Sequence, residues 1–297
     1  MRITNEKCVV TEAVEPSRSE IKTMVRRALA EDIGPGDATT LATIPATARI
    51  KARVVARESL VVAGIAVAEA TFAALPGPVL CRRTVQDSQH VPAGTTLMMV
   101  EGRARSILTA ERVALNYLQW LSGIATLTAR YVSAVTGTKA RILDTRKTTP
   151  GFRRLEKYAV RCGGGHNHRF GLYDMVLIKD NHLAALRGLK PNPITFAVQR
   201  ARLKYPKLRI AVEAMAIDQV KHALDAGADW IMLDNMSLDD LHRAVLLING
   251  RAVTEASGGV TLDNVRAIAE TGVDFISVGA LTHSARAVDI TLDLDST

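Results

Sequence analysis

The sequence contains few cysteines and few aromatic residues, and no long stretch is free of charge. Its three cysteines, Cys8, Cys81 and Cys162, are odd in number and far apart, which argues against a disulfide framework and against a CxxC metal site. We therefore expect a reducing, cytoplasmic environment. No window of about eighteen residues lacks charge, and residues 1–20 contain no apolar signal-peptide core. We expect neither a membrane span nor an export signal.

Positive charge exceeds negative charge but is dispersed along the chain. The 38 Lys and Arg residues against 30 Asp and Glu residues give a formal net charge of +8. Because no run of five basic residues occurs and aromatic residues make up only 4%, the pattern differs from that of a nucleic-acid-binding surface. We expect no nucleic-acid partner, although a basic nucleic-acid binder remains the alternative from another functional class. The excess charge favours attraction of a small anion.

Cationic side chains concentrate in the stretch from Asp144 to Lys179. Short apolar runs ending at these two residues predict buried strands, and the segment between them predicts a helix that ends at glycines 163–165. The stretch is thus predicted to form a βαβ unit. Arg146, Arg169 and Lys179 are expected to converge on a carboxylate or phosphate, because guanidinium groups bind planar anions through two bonds at once. The basic residues of the helix are expected to face solvent: Arg153, Arg154, Lys157 and Arg161.

The pattern between residues 140 and 279 is regular. Short apolar strands alternate with helical segments, and the last four strands end at nearly constant spacing, at Glu213, Asp234, Glu255 and Gly279. Six such strands predict an incomplete parallel α/β barrel, assigned to residues 124–284. A doubly wound sheet is the alternative, but the sequence lacks the GxGxxG fingerprint of such folds.

Residues 1–123 are predicted to form a separate α+β domain with an antiparallel sheet. Ser17 and Glu20 form the capping box of a first helix, and short runs separated by Gly and Pro predict hairpins. A long helix near 109–121 is expected to begin at Thr109 and to break at Ser122-Gly123. The closing segment 285–297 alternates with period two, which predicts a strand that returns to the sheet of this domain.

The strand ends of the predicted barrel carry groups suited to two substrates. Barrels place reactive groups at the carboxyl ends of their strands. Glu213 and Asp234 are suited to ribose hydroxyls or Mg²⁺. Backbone N–H groups in the loops after the last two strands are suited to a phosphate. These loops contain Ser257, Gly258, Gly259, Gly279 and Ala280.

The same residues are compatible with other chemistries. Lys147 or Lys179 at a strand end could form a Schiff base, as in barrel aldolases. His166 and His168 lack a third metal ligand in obvious register, which favours an anion-binding or hydrogen-bonding role. Cys162 has no evident base partner and is expected to be inert.

Taken together, these motifs resemble those of the quinolinate phosphoribosyltransferases, over nearly the whole chain. The resemblance rests on TAERVALN, LDTRKTTPG, GGGHNHR, LIKDNH, IMLDN, EASGGV and ISVGALT. It implies an N-terminal open sandwich, an incomplete α/β barrel and a homodimer in which Arg112 enters the partner's site. It also implies transfer of phosphoribosyl from phosphoribosyl pyrophosphate to quinolinate with decarboxylation, which yields nicotinate mononucleotide for NAD biosynthesis.

The resemblance also implies roles for individual residues. Lys147, Lys179, Glu213 and Asp234 would be catalytic, and Mg²⁺ would be held by Glu213 and Asp234. Quinolinate would be bound by Arg112, Thr145, Arg146, His168, Arg169 and Lys179. Phosphoribosyl pyrophosphate would be bound by Lys147, Glu213, Asp234, Ser257, Gly258, Gly259, Gly279 and Ala280.

One departure from the family pattern concerns the strand around Glu213. Family members carry alternating acids there, whereas this chain has Ala211 and Met215 two positions to either side. The departure leaves open a homologue with a different substrate, such as the type associated with molybdate transport. The complete cationic set favours quinolinate.

Overall fold

The computed structural model describes residues 15–295, which group into two compact units. The N-terminal unit comprises residues 15–129, 149–164 and 281–295, and the barrel unit comprises residues 130–148 and 165–280. The predicted domains, 1–123 and 124–284, were contiguous. In the structure, segment 149–164 groups instead with the N-terminal unit, and so do residues 281–284. The closing segment, described to residue 295, groups with the N-terminal unit as predicted, since its strand β12 (Ile290–Leu294) pairs with β1 (Arg49–Ala56).

Helices and strands are numbered separately, each in chain order. The helices are α1 (Arg18–Ile33), α2 (Ala38–Thr43), α3 (Ile65–Phe72), α4 (Ala104–Ala134), α5 (Arg153–Cys162), α6 (Asp180–Ala185), α7 (Pro193–Lys204), α8 (Ile217–Asp225), α9 (Leu238–Ile248), α10 (Val265–Glu270) and α11 (Ala280–His283). The strands are β1 (Arg49–Ala56), β2 (Leu60–Val61), β3 (Val79–Arg83), β4 (His90–Val91), β5 (Thr96–Arg103), β6 (Arg141–Leu143), β7 (Val176–Ile178), β8 (Ile210–Ala214), β9 (Trp230–Asp234), β10 (Val253–Ser257), β11 (Phe275–Ser277) and β12 (Ile290–Leu294).

The N-terminal unit is built on an antiparallel sheet with the strand order β12-β1-β5-β3. Val54 and Leu97 of this sheet belong to one buried cluster with Phe72 of α3 and Leu118 of α4. Helices therefore cover one face of the sheet, as expected for an open sandwich. Helix α1 begins with the predicted capping box, in which the Ser17 side chain accepts from the backbone N–H of Glu20.

Helix α4 is longer than the sequence predicted. It runs without interruption over Ala104–Ala134, so the predicted start at Thr109 and break at Ser122-Gly123 are wrong. The Thr109 hydroxyl donates to Asp37 Oδ2 at 2.9 Å and does not cap a helix. A Cβ at Gly123 would lie 2.0 Å from the carbonyl oxygen of Arg286. The glycine permits a close backbone approach within a continuous helix.

Helix α5 does not turn all of its basic side chains to solvent, contrary to the prediction. Lys157 is only 3% exposed. Arg154 pairs with Glu20 of α1 at 2.8 Å, and the Tyr158 hydroxyl donates to Asp87 at 2.6 Å. Because α5 packs within the N-terminal unit, its inner face includes part of the basic set.

Strand β12 pairs antiparallel with β1, and Glu58 holds the segment that leads into it. The Glu58 carboxylate accepts from the Arg286 guanidinium and, at 2.8 Å, from the backbone N–H of Asp289. These hydrogen bonds lower the pKa of Glu58 to about 2. The ionised carboxylate thus ties the C-terminal segment to the sheet.

Glu58 should make the N-terminal unit sensitive to acid. Because the folded-state pKa is depressed, its stabilisation is present above about pH 4.5 and is lost as pH falls towards 2. We expect Glu58→Gln to lower stability by about 1 kcal/mol at neutral pH, since the pair is solvent-screened, and by much less near pH 2. Thermal unfolding of both proteins across this range measures the difference. An equal loss at all pH values would contradict the assignment.

The barrel unit contains a six-stranded parallel sheet with the order β6-β11-β10-β9-β8-β7. This confirms the predicted six-stranded α/β fold. The predicted βαβ unit is wrong, however, because β6 and β7 are the two edge strands and do not pair. His166 forms an isolated parallel bridge with Leu143 instead. The loop containing His166 therefore lies along the free edge of β6.

On one face of this sheet, the side chains are apolar near the amino-terminal ends of the strands and polar near their carboxyl ends. Ala211, Trp230 and Val253 lie side by side across β8, β9 and β10 and belong to one buried apolar cluster. Two residues further along, Glu213, Met232 and Glu255 form the next row. Strand alternation thus directs both carboxylates to the same face as the apolar cluster.

Among the described residues, no helix is long and apolar enough to span a membrane.

Candidate active site

All six parallel strands direct their carboxyl ends to the same edge of the barrel sheet, and most predicted site residues lie there. The third row of side chains begins with Asp234 and Ser257, which are paired across β9 and β10. Towards the carboxyl ends of the strands, the side chains therefore change from apolar to ionisable or small and polar, as the strand pattern predicts. The site can bind anions at one edge of an otherwise apolar interior.

Arg146 and Arg169 are the guanidinium groups of this edge. Arg146 follows β6, and its buried Nε has no hydrogen-bond partner among the described residues. Arg169 is 8% exposed and donates from Nη1 to the Met175 carbonyl oxygen at 3.0 Å. Burial, and then the nearby charge of Arg146, lower the pKa of Arg169. Two neighbouring cations with unused donor capacity are suited to a ligand with more than one carboxylate.

Lys179 and Glu213 form an ion pair at the ends of β7 and β8. The Lys179 Nζ lies 2.6 Å from Glu213 Oε2, and Glu213 is 7% exposed. The carboxylate sets the position of the ammonium while leaving it half-exposed. A paired ammonium is a point charge for an anion, whereas Schiff-base chemistry needs the free amine.

Asn235 links Asp234 to the end of β10 through hydrogen bonds. The Asn235 side chain donates to Asp234 Oδ2 at 2.8 Å, and its backbone N–H donates to the Ser257 carbonyl oxygen at 2.9 Å. Asn235 adopts φ +53°, a conformation that asparagine tolerates better than most residues. A Cβ at Gly258 would lie 2.2 Å from Asn235 Oδ1. Asn235 was not among the predicted site residues, and its only signal in the sequence was its place in the IMLDN motif.

The remaining predicted residues occupy neighbouring loops. The Thr145 hydroxyl accepts from the backbone N–H of Lys147 at 3.0 Å, so the loop after β6 turns sharply and leaves the Lys147 side chain exposed. Gly259 follows Gly258 with φ +60°, and a Cβ there would meet no atom within 4 Å. Gly279 and Ala280 lie directly after β11.

Asp144 organises the loop that carries His168. Its Oδ1 accepts from the His168 backbone N–H at 2.8 Å, and its Oδ2 accepts from the Asn167 side chain at 2.6 Å. Asp144 is fully buried. It was predicted only as a strand end, and its role in the loop depends on the bridge between Leu143 and His166, which the sequence does not signal.

Glu255 is a buried carboxylate that sequence reasoning identified only as a strand end. It is fully buried, and its Oε2 accepts from Trp230 Nε1 at 2.6 Å and lies 3.3 Å from His168 Nε2. The sequence did offer one signal that Glu255 lies near the site: it is two residues from Ser257, so both side chains lie on one face of β10.

Arg112 lies on an exposed part of α4, within the helix and not at its start. In the N-terminal unit, α1, α4 and the segment before α5 line an open cleft of about 350 Å³. Val113, Tyr117, Trp120 and Phe152 supply its apolar and aromatic wall, and Glu31 and Asp32 supply acidic groups. An exposed cleft of this composition is suited to covering by another protein surface.

The residues fit Mg²⁺ only together with a ligand. Among residues 15–295, no group of three or more His, Cys, Asp or Glu side chains could hold a metal ion. Glu213 is engaged by Lys179, so Asp234 is the more available carboxylate. Mg²⁺ commonly binds through one or two carboxylates and substrate phosphates, and this donor set is compatible with that arrangement.

The departure from the family pattern on β8 has a local structural context. Ala211 is fully buried in the apolar row with Trp230 and Val253, where a carboxylate would need a compensating partner. Met215 is 53% exposed just beyond the strand. The chain therefore keeps Glu213 as the one acid of this strand.

Family models match both parts of the chain. The model described as quinolinate phosphoribosyl transferase, N-terminal domain, matches residues 37–122, and the model of the C-terminal domain matches residues 124–293. The chain is 45% identical over 278 residues to the nicotinate-nucleotide pyrophosphorylase [carboxylating] of Mycobacterium leprae, covering 91% of this chain and 95% of that protein. It is 43% identical over 309 residues to quinolinate phosphoribosyltransferase [decarboxylating] 1 of Nicotiana glauca, covering 98% and 87%.

Solved structures give the same result. The nicotinate-nucleotide pyrophosphorylase of Francisella tularensis superposes with a TM-score of 0.89 at 40% identity, covering 96% of this chain and all of that one. The corresponding protein of Ehrlichia chaffeensis superposes with a TM-score of 0.88 at 41% identity, covering 95% of this chain and all of that one.

Proposed function

The chain belongs to the quinolinate phosphoribosyltransferase family, and we propose that it transfers phosphoribosyl from phosphoribosyl pyrophosphate to quinolinate. The pyridine nitrogen attacks the anomeric carbon of the ribose and pyrophosphate leaves. Loss of the 2-carboxylate as CO2 then gives nicotinate mononucleotide, a precursor in NAD biosynthesis. The observation that carries this proposal is the pair of neighbouring guanidinium groups, Arg146 and Arg169, in a site whose other strand ends supply the Lys179–Glu213 ion pair.

The cationic side chains are proposed to hold the diacid. Arg146 and Arg169 bind the carboxylates, and Thr145 and Lys179 complete the cradle. By fixing both carboxylates, the side chains direct the ring nitrogen towards the sugar, which lowers the entropic part of the barrier. The 2-carboxylate departs as neutral CO2, and its electron pair remains on the ring carbon until a proton replaces it.

The loops after β10 and β11 are proposed to hold the sugar phosphate. Ser257 and Gly258 offer backbone N–H groups and little steric bulk to the 5′-phosphate, and Gly279 and Ala280 do the same from the next loop. Asp234 and Glu213 accept from the ribose hydroxyls. Positive charge that develops on the anomeric carbon lies near these carboxylates, while Lys147 and Lys179 offset charge on the departing pyrophosphate.

Mg²⁺ is proposed as the cofactor of the sugar substrate. It would be held by the pyrophosphate together with Asp234, with Glu213 as the second carboxylate, and it would neutralise charge on the leaving group. A cytoplasmic location is proposed as well, since the two cysteines that the structure describes, Cys81 and Cys162, are both free. Cys8 lies outside the described residues.

A homodimer is proposed in which Arg112 completes the partner's quinolinate site. Arg112 is exposed on the same helix that lines the aromatic cleft of the N-terminal unit. An arginine near a cleft lined by aromatic side chains is typical of residues that bind across a protein interface. In a two-fold dimer each subunit would supply one Arg112 and receive one.

Subunit complementation tests this sharing of sites. Arg112→Ala and Lys179→Ala should each be nearly inactive alone. When the two variants are mixed and allowed to exchange subunits, half the dimers are mixed and each contains one intact site, so we expect about a quarter of wild-type activity. Mixing Arg146→Ala with Lys179→Ala is the control, because both changes lie in the same barrel and no intact site can form. Absence of recovery in the first mixture, despite exchange of labelled subunits, would contradict the shared site.

The reaction itself is tested by product analysis. The protein is supplied with phosphoribosyl pyrophosphate, Mg²⁺ and either quinolinate labelled at the 2-carboxylate or nicotinate. We expect labelled CO2, pyrophosphate and nicotinate mononucleotide in equal amounts from quinolinate, and little product from nicotinate. Absence of turnover with quinolinate, or equal turnover with both acids, would overturn the proposal.

A further inference from the structure

Glu255 is a buried ionisable group for which the reaction described above provides no use. It lies on β10 in the row that also contains Glu213 and Met232, and it is fully buried. Burying a carboxylate costs free energy unless hydrogen bonds compensate it. A fully buried acid beside a substrate site therefore calls for an explanation.

The contacts of Glu255 converge on one oxygen. Trp230 Nε1 donates to Oε2 at 2.6 Å, whereas His168 Nε2 lies 3.3 Å from the same atom, within ion-pair distance but without hydrogen-bond geometry. The other oxygen, Oε1, has no hydrogen-bond partner among the described residues. The ionised form is the form that the surrounding donors favour.

His168 connects this carboxylate to the arginine next to it in the chain. Its Nδ1 accepts the backbone N–H of Arg169 at 2.7 Å, so Nδ1 carries no proton. The proton of the neutral ring is then on Nε2, which faces Glu255. Since His168 is only 6% exposed, both ring nitrogens are directed at the protein.

We propose that Glu255 is a positioning residue for the diacid half of the site, acting through His168 on Arg169. The carboxylate holds the imidazole in the Nε2–H form, and the imidazole fixes the backbone of Arg169 through Nδ1. The Met175 carbonyl oxygen fixes the other end of Arg169 by accepting from Nη1 at 3.0 Å. His168 thereby contributes to quinolinate binding through Arg169 and not by direct contact. The inference rests on the proposed function.

Glu255→Gln tests the role of the charge because it preserves the shape of the side chain. We expect the KM for quinolinate to rise about tenfold, because glutamine removes the buried negative charge that lies 3.3 Å from His168 Nε2. The KM for phosphoribosyl pyrophosphate should change less than about twofold. Glu255→Asp, which keeps the charge but shortens its reach, should give a smaller rise.

Thr254→Val is the matched control. Thr254 is the neighbouring residue on β10, is 3% exposed and hydrogen-bonds to Asp274, so its loss destabilises the same strand on the opposite face. It should lower the melting temperature without changing either KM. If Glu255→Gln lowers the melting temperature but leaves the KM for quinolinate unchanged, or raises both KM values equally, Glu255 has no positioning role.

Nuclear magnetic resonance of histidine labelled with ¹⁵N tests the geometry without substrate. In the wild-type protein, we expect the ring of His168, assigned by its absence in His168→Asn, to carry its proton on Nε2 alone. A proton on Nδ1 would overturn the proposal even if Glu255→Gln did not fold. Because this readout does not depend on turnover, failure of the proposed reaction and failure of this inference are distinguishable.

Discussion

Replacing Arg146 with alanine is expected to weaken quinolinate binding about a hundredfold while changing the affinity for phosphoribosyl pyrophosphate less than about threefold. Arg146 is the third residue after β6, and its Nε is buried without a hydrogen-bond partner in the described part of the chain. Two charge-assisted hydrogen bonds to a carboxylate would contribute about 3 kcal/mol, which corresponds to about a hundredfold in affinity. Titration calorimetry with each substrate measures both effects.

Two further variants sharpen this result. Arg146→Lys keeps the charge but loses the planar fork, so it should fall between wild type and alanine. Arg161→Ala removes an exposed arginine of α5 and should leave quinolinate affinity within about twofold, which controls for net charge. Equal losses for both substrates in Arg146→Ala would show that the site is not divided as proposed.

Replacing Gly258 with alanine should have the opposite effect, weakening the binding of phosphoribosyl pyrophosphate much more than that of quinolinate. Gly258 has φ +91°, and a Cβ there would lie 2.2 Å from Asn235 Oδ1. The backbone strain costs about 1–2 kcal/mol, and relief of the clash requires Asn235 to move away from Asp234, to which it donates. We expect the KM for phosphoribosyl pyrophosphate to rise at least about thirtyfold, with quinolinate affinity changed less than about threefold.

Gly227→Ala is the control for backbone strain alone. Gly227 has φ +78°, with no atom within 4 Å of a Cβ, and it follows α8 on the approach to β9. It should lower stability by a similar strain cost without selectivity for the sugar substrate. A thermal unfolding measurement separates this general cost from the KM effect. If Gly258→Ala altered only stability, the loop after β10 would not bind the 5′-phosphate.

The barrel strands were predictable because each is a short apolar run in the sequence and is buried in the structure. Short apolar runs bounded by turns become buried strands whichever partner they pair with. Their order in the sheet was not predictable, since pairing between β6 and β11 joins segments far apart in sequence. The predicted βαβ unit failed for this reason: adjacency in the chain was taken for adjacency in the sheet.

The helices were less predictable where tertiary contacts override local signals. Thr109 and Gly123 have the residue types of a helix start and a helix break, yet both lie inside α4. Asp37 takes up the Thr109 hydroxyl, and the close approach of Arg286 explains the glycine. Lys157 was predicted to face solvent because half of an amphipathic helix usually does, but α5 packs on more than one side.

The candidate site was predictable where residues lie at, or within a few residues of, the carboxyl end of a strand. Arg146, Lys179, Glu213 and Asp234 all lie at the carboxyl edge, because parallel strands bring their ends together. The supporting residues were not found in this way. Glu255 acquires its role from the loop that carries His168 along the edge of β6, and that placement depends on a bridge between Leu143 and His166.

The cationic edge of the barrel is proposed, above all, to recognise two carboxylates on one pyridine ring. Titration calorimetry of quinolinate against nicotinate, which lacks the 2-carboxylate, tests this recognition most directly. We expect quinolinate to bind at least about tenfold more tightly than nicotinate, since one carboxylate's charge-assisted hydrogen bonds are lost, and we expect Arg146→Ala to remove most of this preference. Equal affinity for the two acids in the wild-type protein would contradict recognition of the diacid.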